Sequence, residues 1–155
     1  MLITKRCKLR PFQENDLDIF IQYRNNLDWM KYQNFKNKTK EEYRKALLVP
    51  IDLENGAQLA IVEKETDQLL GDLFLLMDGN SLMIGYAIHP TYARKGYITE
   101  VVESLLPKLK ECYPSYDIVA MTDKENIPSI NLLRKLGFTY TGWNDEWQSE
   151  VFVFE

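Results

Sequence analysis

Apolar residues change their spacing twice along the chain, from helical to alternating near residue 58 and back to helical near residue 97. Ahead of the first change, residues 3–10 alternate weakly and end at Pro11, the pattern of a strand near a sheet edge. Asn15 stands where it can cap a following helix whose Leu17, Phe20 and Ile21 form an apolar stripe. Trp29, Met30, Tyr32 and Phe35 come next, in a stretch without period. A second helix opens on Thr39-Lys40-Glu41-Glu42, the spacing of a capping box, turns Tyr43, Ala46 and Leu47 inward, and stops at Pro50.

Residues 58–63, 69–77 and 81–88 read as three strands of an antiparallel meander. Glu65 to Asp67 supply a loose turn, and Asp78-Gly79 predicts a tight type I′ hairpin in which both central residues have positive φ. After Gly96, the positions of Ile98, Val101, Val102, Leu105 and Leu109 predict a long helix. Pro107 lies inside it and clashes with the carbonyl of Glu103, which predicts a kink in the last turns. Residues 116–122 form a short buried strand that a long helical crossover makes parallel to its predecessor. Residues 127–136 are the last helix, with Gly137 as the left-handed residue beyond it, and residues 138–142 and 150–154 pair as final strands. The order is that of an α/β (α+β) fold in one domain spanning residues 1–155.

Composition narrows the function. With 19 basic and 23 acidic residues the net charge is −4, which argues against a general binder of nucleic acid. Cys7 and Cys112 show no CxxC spacing, so neither a disulfide framework nor a zinc site is expected, and a reducing cytoplasmic setting fits. No apolar run approaches the roughly 18 residues of a membrane span, and the N-terminus lacks a signal-peptide pattern, so no membrane partner is expected. His89 is the only histidine, which leaves no histidine-rich metal site; no metal is expected.

The sharpest local feature runs from His89 to Glu100, where a strand passes through a short loop into an amphipathic helix. Unpaired N–H groups and the aligned peptide dipoles of a helix start favour an anion there. Gly96 lets a phosphate approach the backbone, Arg94 offers a forked donor and Lys95 a point charge. A bound diphosphate is one reading and ordinary turn chemistry the other. Neither a Walker A sequence nor a three-glycine dinucleotide fingerprint is present.

The segments KRCKLRPF, ARKGYITE and NIPSINLLRKLGF, in this order, resemble the GNAT superfamily of acyl-CoA-dependent N-acetyltransferases, nearest its RimJ/RimL-like branch. The superfamily loop Q/R-x-x-G-x-G/A is matched strictly only at Gly96, since Ala93 and Ile98 take its first and last places. The branch's Lys-Gly-Tyr-x-Thr-Glu is met by Lys95, Gly96, Tyr97, Thr99 and Glu100, and its N-x-x-S followed by L-G-F by Asn126, Ser129, Leu136, Gly137 and Phe138. The resemblance implies a mixed, largely antiparallel seven-stranded sheet flanked by four helices, with splayed central parallel strands. It implies acetyl-CoA as cofactor, direct attack in a ternary complex, and a primary amine as acceptor, either a protein N-terminus or a small molecule. A monomer or homodimer is expected.

Residue by residue, the resemblance puts the cofactor diphosphate on the backbone of Arg94, Lys95, Gly96, Tyr97, Ile98 and Thr99. Ile98 either narrows that approach or points into the core. The N–H of Ile88 is implied as donor to the thioester oxygen, and Asn126 as a pantetheine contact or else a helix cap. The tyrosine that many members place seven residues after the asparagine is Leu133 here, whereas Ser129 matches the serine to which thiolate protonation is assigned; a first-turn hydroxyl is its other reading. Glu100, Asp72, Asp123 and His89 are the titratable groups near the cleft, and none is singled out as the base, so ordered water is the default. Asp145, Glu146, Glu150 and Glu155 give the C-terminal segment an acidic bias that either attracts a cationic amine or is simply solvated. Trp29, Tyr32, Phe35, Trp143 and Trp147 are candidates for an amine pocket or for packing. Ala93, Ile98 and Leu133 also motivate an acyl-CoA-binding module without turnover, and a homomeric structural domain is the third alternative.

Overall fold

The N-terminal segment is two strands, not one. In the computed structural model, which describes residues 2–155, Thr4 closes a turn on Cys7 through its N–H at 2.9 Å and accepts the Cys7 N–H on its hydroxyl at 3.1 Å. This splits the segment into β1 (Leu2–Ile3) and β2 (Cys7–Pro11). The sheet therefore has eight strands where seven were expected.

Asn15 is not a cap either. It lies within a 3₁₀ turn, Glu14–Asp16, ahead of α1 (Leu17–Arg24). Asp16 organises this corner by accepting the Gln13 N–H at 2.8 Å and both Nη atoms of Arg10 at 2.8 and 2.9 Å. A carboxylate outcompetes the Asn15 amide because it receives a bidentate guanidinium. Helix α2 (Lys40–Leu47) opens on the expected capping box, with Thr39 Oγ1 accepting from Glu42 N at 3.1 Å and Glu42 Oε1 from Thr39 N at 3.0 Å. Its inward face is Tyr43 and Leu47; Ala46 is exposed.

The meander follows as β3 (Ala57–Glu63), β4 (Leu69–Asp78) and β5 (Ser81–Ile88). Asp78 pairs with Ser81, so the hairpin loop is Gly79-Asn80, and only Gly79 has positive φ (61°), which replaces the expected type I′ turn with the II′ pattern. Helix α3 (Tyr97–Cys112) continues through Pro107, whose ring and the Glu103 position both face solvent, where water can take the freed carbonyl. Strand β6 (Asp117–Thr122), α4 (Ile127–Lys135), β7 (Thr139–Asn144) and β8 (Ser149–Phe154) complete the chain. Gly137 has φ of 96°, as a residue past a helix end requires.

The sheet order is β1-β2-β3-β4-β5-β6-β8-β7, antiparallel except for β5 and β6. One face packs on α3 and α4 through Leu73, Leu82, Ile84, Val101, Val102 and Leu133. The other packs on α1 and α2 through Phe20, Tyr23, Tyr43, Ala60, Val62 and Ala87. Two details position the centre of the sheet. At Gly71 a Cβ would lie 2.3 Å from the Ala87 carbonyl oxygen, so β4 approaches β5 more closely there than any side chain allows. The parallel pairing of β5 with β6 ends at Ile84 and Ala120, while β5 runs on to Ile88 and the last residues of β6 pair with β8. The central strands are splayed. Among the described residues, no helix is long and apolar enough to cross a membrane.

Candidate active site

The gap between β5 and β6 exposes one edge of β5. The His89 N–H donates to Leu70 O at 2.8 Å, on the β4 side. Backbone groups alternate sides along a strand, so the N–H and C=O of Tyr86 and Ile88 face the gap. Both carbonyls are covered from the chain between α1 and α2. Trp29 Nε1 donates to Ile88 O at 2.6 Å and Gln33 Nε2 to Tyr86 O at 3.1 Å. From the same segment, Tyr32 reaches the opposite lip with its hydroxyl 3.4 Å from Glu125 O.

This strap separates two cavities. One, of about 600 Å³, runs from Ile88 and the Tyr92–Thr99 region to Asn126 and Ser129. The other, of about 700 Å³, lies beside α2 and is walled by Phe35, Leu47, Val49, Phe74, Met121 and Trp147. Tyr32, Gln33 and Tyr86 line both.

At the far end of the first cavity the loop before α3 holds Arg94 and Gly96 in left-handed conformation, with φ of 63° and 81°. The first helical bond of this segment is Glu100 N to Gly96 O at 3.0 Å, and no described residue accepts from the N–H groups of Arg94 to Thr99. Six consecutive donors at a helix start suit an anion with several oxygens. The loop is anchored from behind. Glu100 accepts from Thr4 Oγ1 at 2.5 Å, Arg6 N at 2.8 Å and Arg6 Nε at 2.7 Å, and the Arg6 guanidinium lies 4.2 Å from the Tyr97 ring centre. Partial burial works to raise the Glu100 carboxyl, but the Thr4 and Arg6 bonds outweigh it and hold the group below its ordinary value.

Residues 6–139 match the family model for the acetyltransferase (GNAT) domain. The chain belongs to the GNAT acetyltransferase family. It is 30% identical to the uncharacterized N-acetyltransferase p20 of Bacillus licheniformis over 91% of this chain and 83% of that one. The ribosomal L7/L12 α-N-protein acetyltransferase RimL, in complex with coenzyme A, superposes with a TM-score of 0.83 at 16% identity, over 99% of this chain and 96% of that one. The spermidine N-acetyltransferase of Vibrio cholerae, in complex with CoA and spermine, gives 0.78 at 18% identity, over 96% and 93%. GNAT enzymes are N-acetyltransferases that use acetyl-CoA.

The site fits that cofactor on its own geometry. A row of free amides, a left-handed Gly96 and a strand edge that β6 leaves open, with its N–H groups free, are three features that suit an extended molecule with a diphosphate and amide groups. Ile98 is only 8% exposed and packs with Val101 and Val102, so its side chain takes the core placement. Asn126 accepts the Ser129 N–H at 3.4 Å, as a helix cap, while still lining the first cavity. Leu133 is buried in the core. Ser129 Oγ lies 3.2 Å from the Tyr86 hydroxyl. Arg94 lines the cavity and Lys95 is exposed, with its Nζ 6.0 Å from the Tyr92 ring centre.

Three of the titratable candidates are committed elsewhere. Asp72 is fully buried and saturated: Oδ1 accepts from Arg24 Nη2 at 2.5 Å and Gln58 Nε2 at 2.6 Å, Oδ2 from the Tyr23 hydroxyl at 2.5 Å and Arg24 Nε at 3.2 Å. Glu100 serves the β1–β2 turn. His89 accepts the Thr91 N–H on Nδ1 at 3.1 Å, lies edge-on to Tyr23, lines neither cavity, and has its pKa lowered by burial. Asp123 faces the second cavity, with Oδ1 accepting the Glu125 N–H at 2.8 Å.

The C-terminal acids stand outside both cavities. None of Asp145, Glu146, Glu150 and Glu155 lines either cavity, and the charged residues of the second cavity are Arg24, Lys31, Lys36 and Asp123. Of the candidate aromatic residues, Trp29, Tyr32, Phe35 and Trp147 line a cavity, whereas Trp143 bonds Asp145 through its indole N–H at 2.8 Å. Tyr86 and Gln33 carry no signal in the sequence, because Tyr86 sits in an ordinary alternating strand and Gln33 in a stretch without period.

Proposed function

We propose that the first cavity binds acetyl-CoA and the second a primary amine, with the two meeting at Tyr86 and the gap beside Ile88. The backbone N–H groups of Arg94, Lys95, Gly96, Tyr97, Ile98 and Thr99 hold the diphosphate, and Arg94 and Lys95 add positive charge. Acetyl-CoA supplies the acyl group as an activated thioester. Ile88 directs its N–H at the acetyl carbonyl oxygen and stabilises the charge that builds there. Ser129 gives its hydroxyl proton to the departing sulfur and regains one, through water, from the acceptor nitrogen, so the proton count balances. Asn126 holds the first turn of α4, and with it Ser129, against the cavity. The reading rests on one observation: the six unpaired N–H groups at Arg94 to Thr99.

The acceptor class follows from the second cavity. Its walls mix apolar and aromatic side chains with polar ones such as Gln58, Thr122 and Gln148, and Lys31 and Lys36 outnumber Asp123 around it once Arg24 is paired with Asp72. That charge balance favours an amine carrying a single positive charge, a small molecule or a protein N-terminus with an amphipathic body, over a polycation. We place the reaction in the cytoplasm, where the free thiols of Cys7 and Cys112 persist. The deciding experiment measures acetyl-CoA binding by calorimetry and free CoA release against peptides, polyamines and aminoglycosides. Binding with release on singly charged amines is expected. Binding with no release across the panel leaves an acyl-CoA-binding module, and no binding leaves a structural domain.

A further inference from the structure

With Leu133 at its place α4 has no phenol of its own, yet one reaches the first turn of this helix from the opposite lip. Tyr86, on the unpaired stretch of β5, sets its hydroxyl 3.2 Å from Ser129 Oγ, in the first turn of α4. These two side chains bridge the gap at the level where the β5–β6 pairing has already ended. Tyr86 lines both cavities and Ser129 the cofactor cavity, so the pair stands where the two substrates must meet.

The bond has a direction that matters. Ser129 N–H is already satisfied by the Asn126 side chain, and Ser129 Oγ has one hydrogen and two lone pairs to place. No described residue other than Ser129 bonds the Tyr86 hydroxyl. If the phenol donates, the serine hydrogen is free to point into the cofactor cavity. Burial raises the Tyr86 pKa, against a smaller opposing effect of the Ser129 bond, so the phenol keeps its proton near neutrality and is available as that donor.

We infer that Tyr86 is a positioning residue for the acyl transfer: its O–H donates to Ser129 Oγ and thereby aims the Ser129 hydrogen at the sulfur of coenzyme A. No proton leaves Tyr86; it acts through Ser129, and the inference rests on the role proposed for Ser129 above.

The test needs no acceptor amine. Coenzyme A is bound to the wild type and to Ser129→Ala, Tyr86→Phe and the double variant, and the ionisation of its thiol is followed by ultraviolet thiolate absorbance against pH, with desulfo-coenzyme A as the blank for Cys7 and Cys112. A hydroxyl aimed at the sulfur stabilises the thiolate, so the bound thiol in the wild type ionises at lower pH than free coenzyme A. Ser129→Ala and Tyr86→Phe each raise that pH, by about half a unit for one lost hydrogen bond, and the double variant shifts no further than Ser129→Ala alone. No shift in Ser129→Ala overturns the role of Ser129. A shift in Ser129→Ala with none, or a downward one, in Tyr86→Phe overturns the role of Tyr86 alone, as does additivity in the double variant. Retained coenzyme A affinity in Tyr86→Phe confirms that the strand and the cavity are intact.

Discussion

The indole N–H of Trp29 donates to the carbonyl oxygen of Ile88 at 2.6 Å, across the mouth of the gap between the central strands. The carbonyl is thereby satisfied by a side chain while the N–H of the same residue stays available on the free edge of β5. The bond is exposed, so water can take the carbonyl in its place and the net gain is about 0.5–1.5 kcal/mol, enough to hold the strap over the open edge. Coenzyme A bound beside Ile88, as proposed, would change the surroundings of this indole. Tryptophan emission of the wild type is expected to shift on coenzyme A addition, and Trp29→Phe to lose most of that shift, with Trp143 and Trp147 left as the background. An unchanged wild-type emission would place the ligand away from Ile88.

Gly96 tolerates a side chain in space but not in conformation. A Cβ at this position would meet nothing nearer than Arg6 Nη2, at 3.5 Å, yet φ is 81°. Gly96→Val is expected to lower stability by roughly 1–2 kcal/mol and to weaken coenzyme A binding at least about tenfold, since the amides no longer converge. Thermal unfolding and calorimetry of the same preparation separate the two effects. Full affinity at reduced stability would show that the loop does not hold the diphosphate.

Asp72→Asn leaves Arg24 buried with no counter-charge. Breaking such a pair from one side costs about 3–5 kcal/mol. Urea unfolding should show a midpoint lowered accordingly. A loss of activity without a loss of stability would instead return Asp72 to the catalytic candidates.

Glu100 carries a pH signature. Its folded pKa is below the ordinary value, so the stability it contributes is fully present above the unfolded pKa and is lost as pH falls through the folded one. Glu100→Gln is expected to be about 1 kcal/mol less stable than the wild type at neutral pH, with the difference shrinking as the solution is acidified below the ordinary glutamate range. A difference that is constant with pH would mean that the Thr4 and Arg6 bonds do not depend on the charge.

Much of this arrangement is legible in the order of residues. The meander, α3, α4, the Thr39 cap and the Gly96 loop follow from period and turn chemistry, because each depends on neighbours within a few positions. The break between β1 and β2 leaves no such trace, since a threonine closing a turn on Cys7 looks like one more alternating position. Asp72 illustrates the larger limit. Its partners Tyr23, Arg24 and Gln58 come from α1 and β3, and only the folded chain reveals that its oxygens are all in use. The strap of Trp29, Tyr32 and Gln33 has no period, and its purpose appears only when the edge it covers is assembled. The place of the acidic C-terminal segment is likewise not legible: proximity in sequence to the last strands does not reveal that Asp145, Glu146, Glu150 and Glu155 lie outside both cavities.

Gly71 makes no contact with either cavity, yet it sets where one of them begins. Hydrogen in place of a methyl there lets two strands close to a distance that fixes the Ala87 carbonyl and the Ile88 Cα. Any larger residue must push that stretch sideways, and the donor proposed for the acyl oxygen moves with it. A position with nothing to offer a substrate thus holds the proposed oxyanion donor in place, and its tolerance in a mutational scan would track turnover as well as folding.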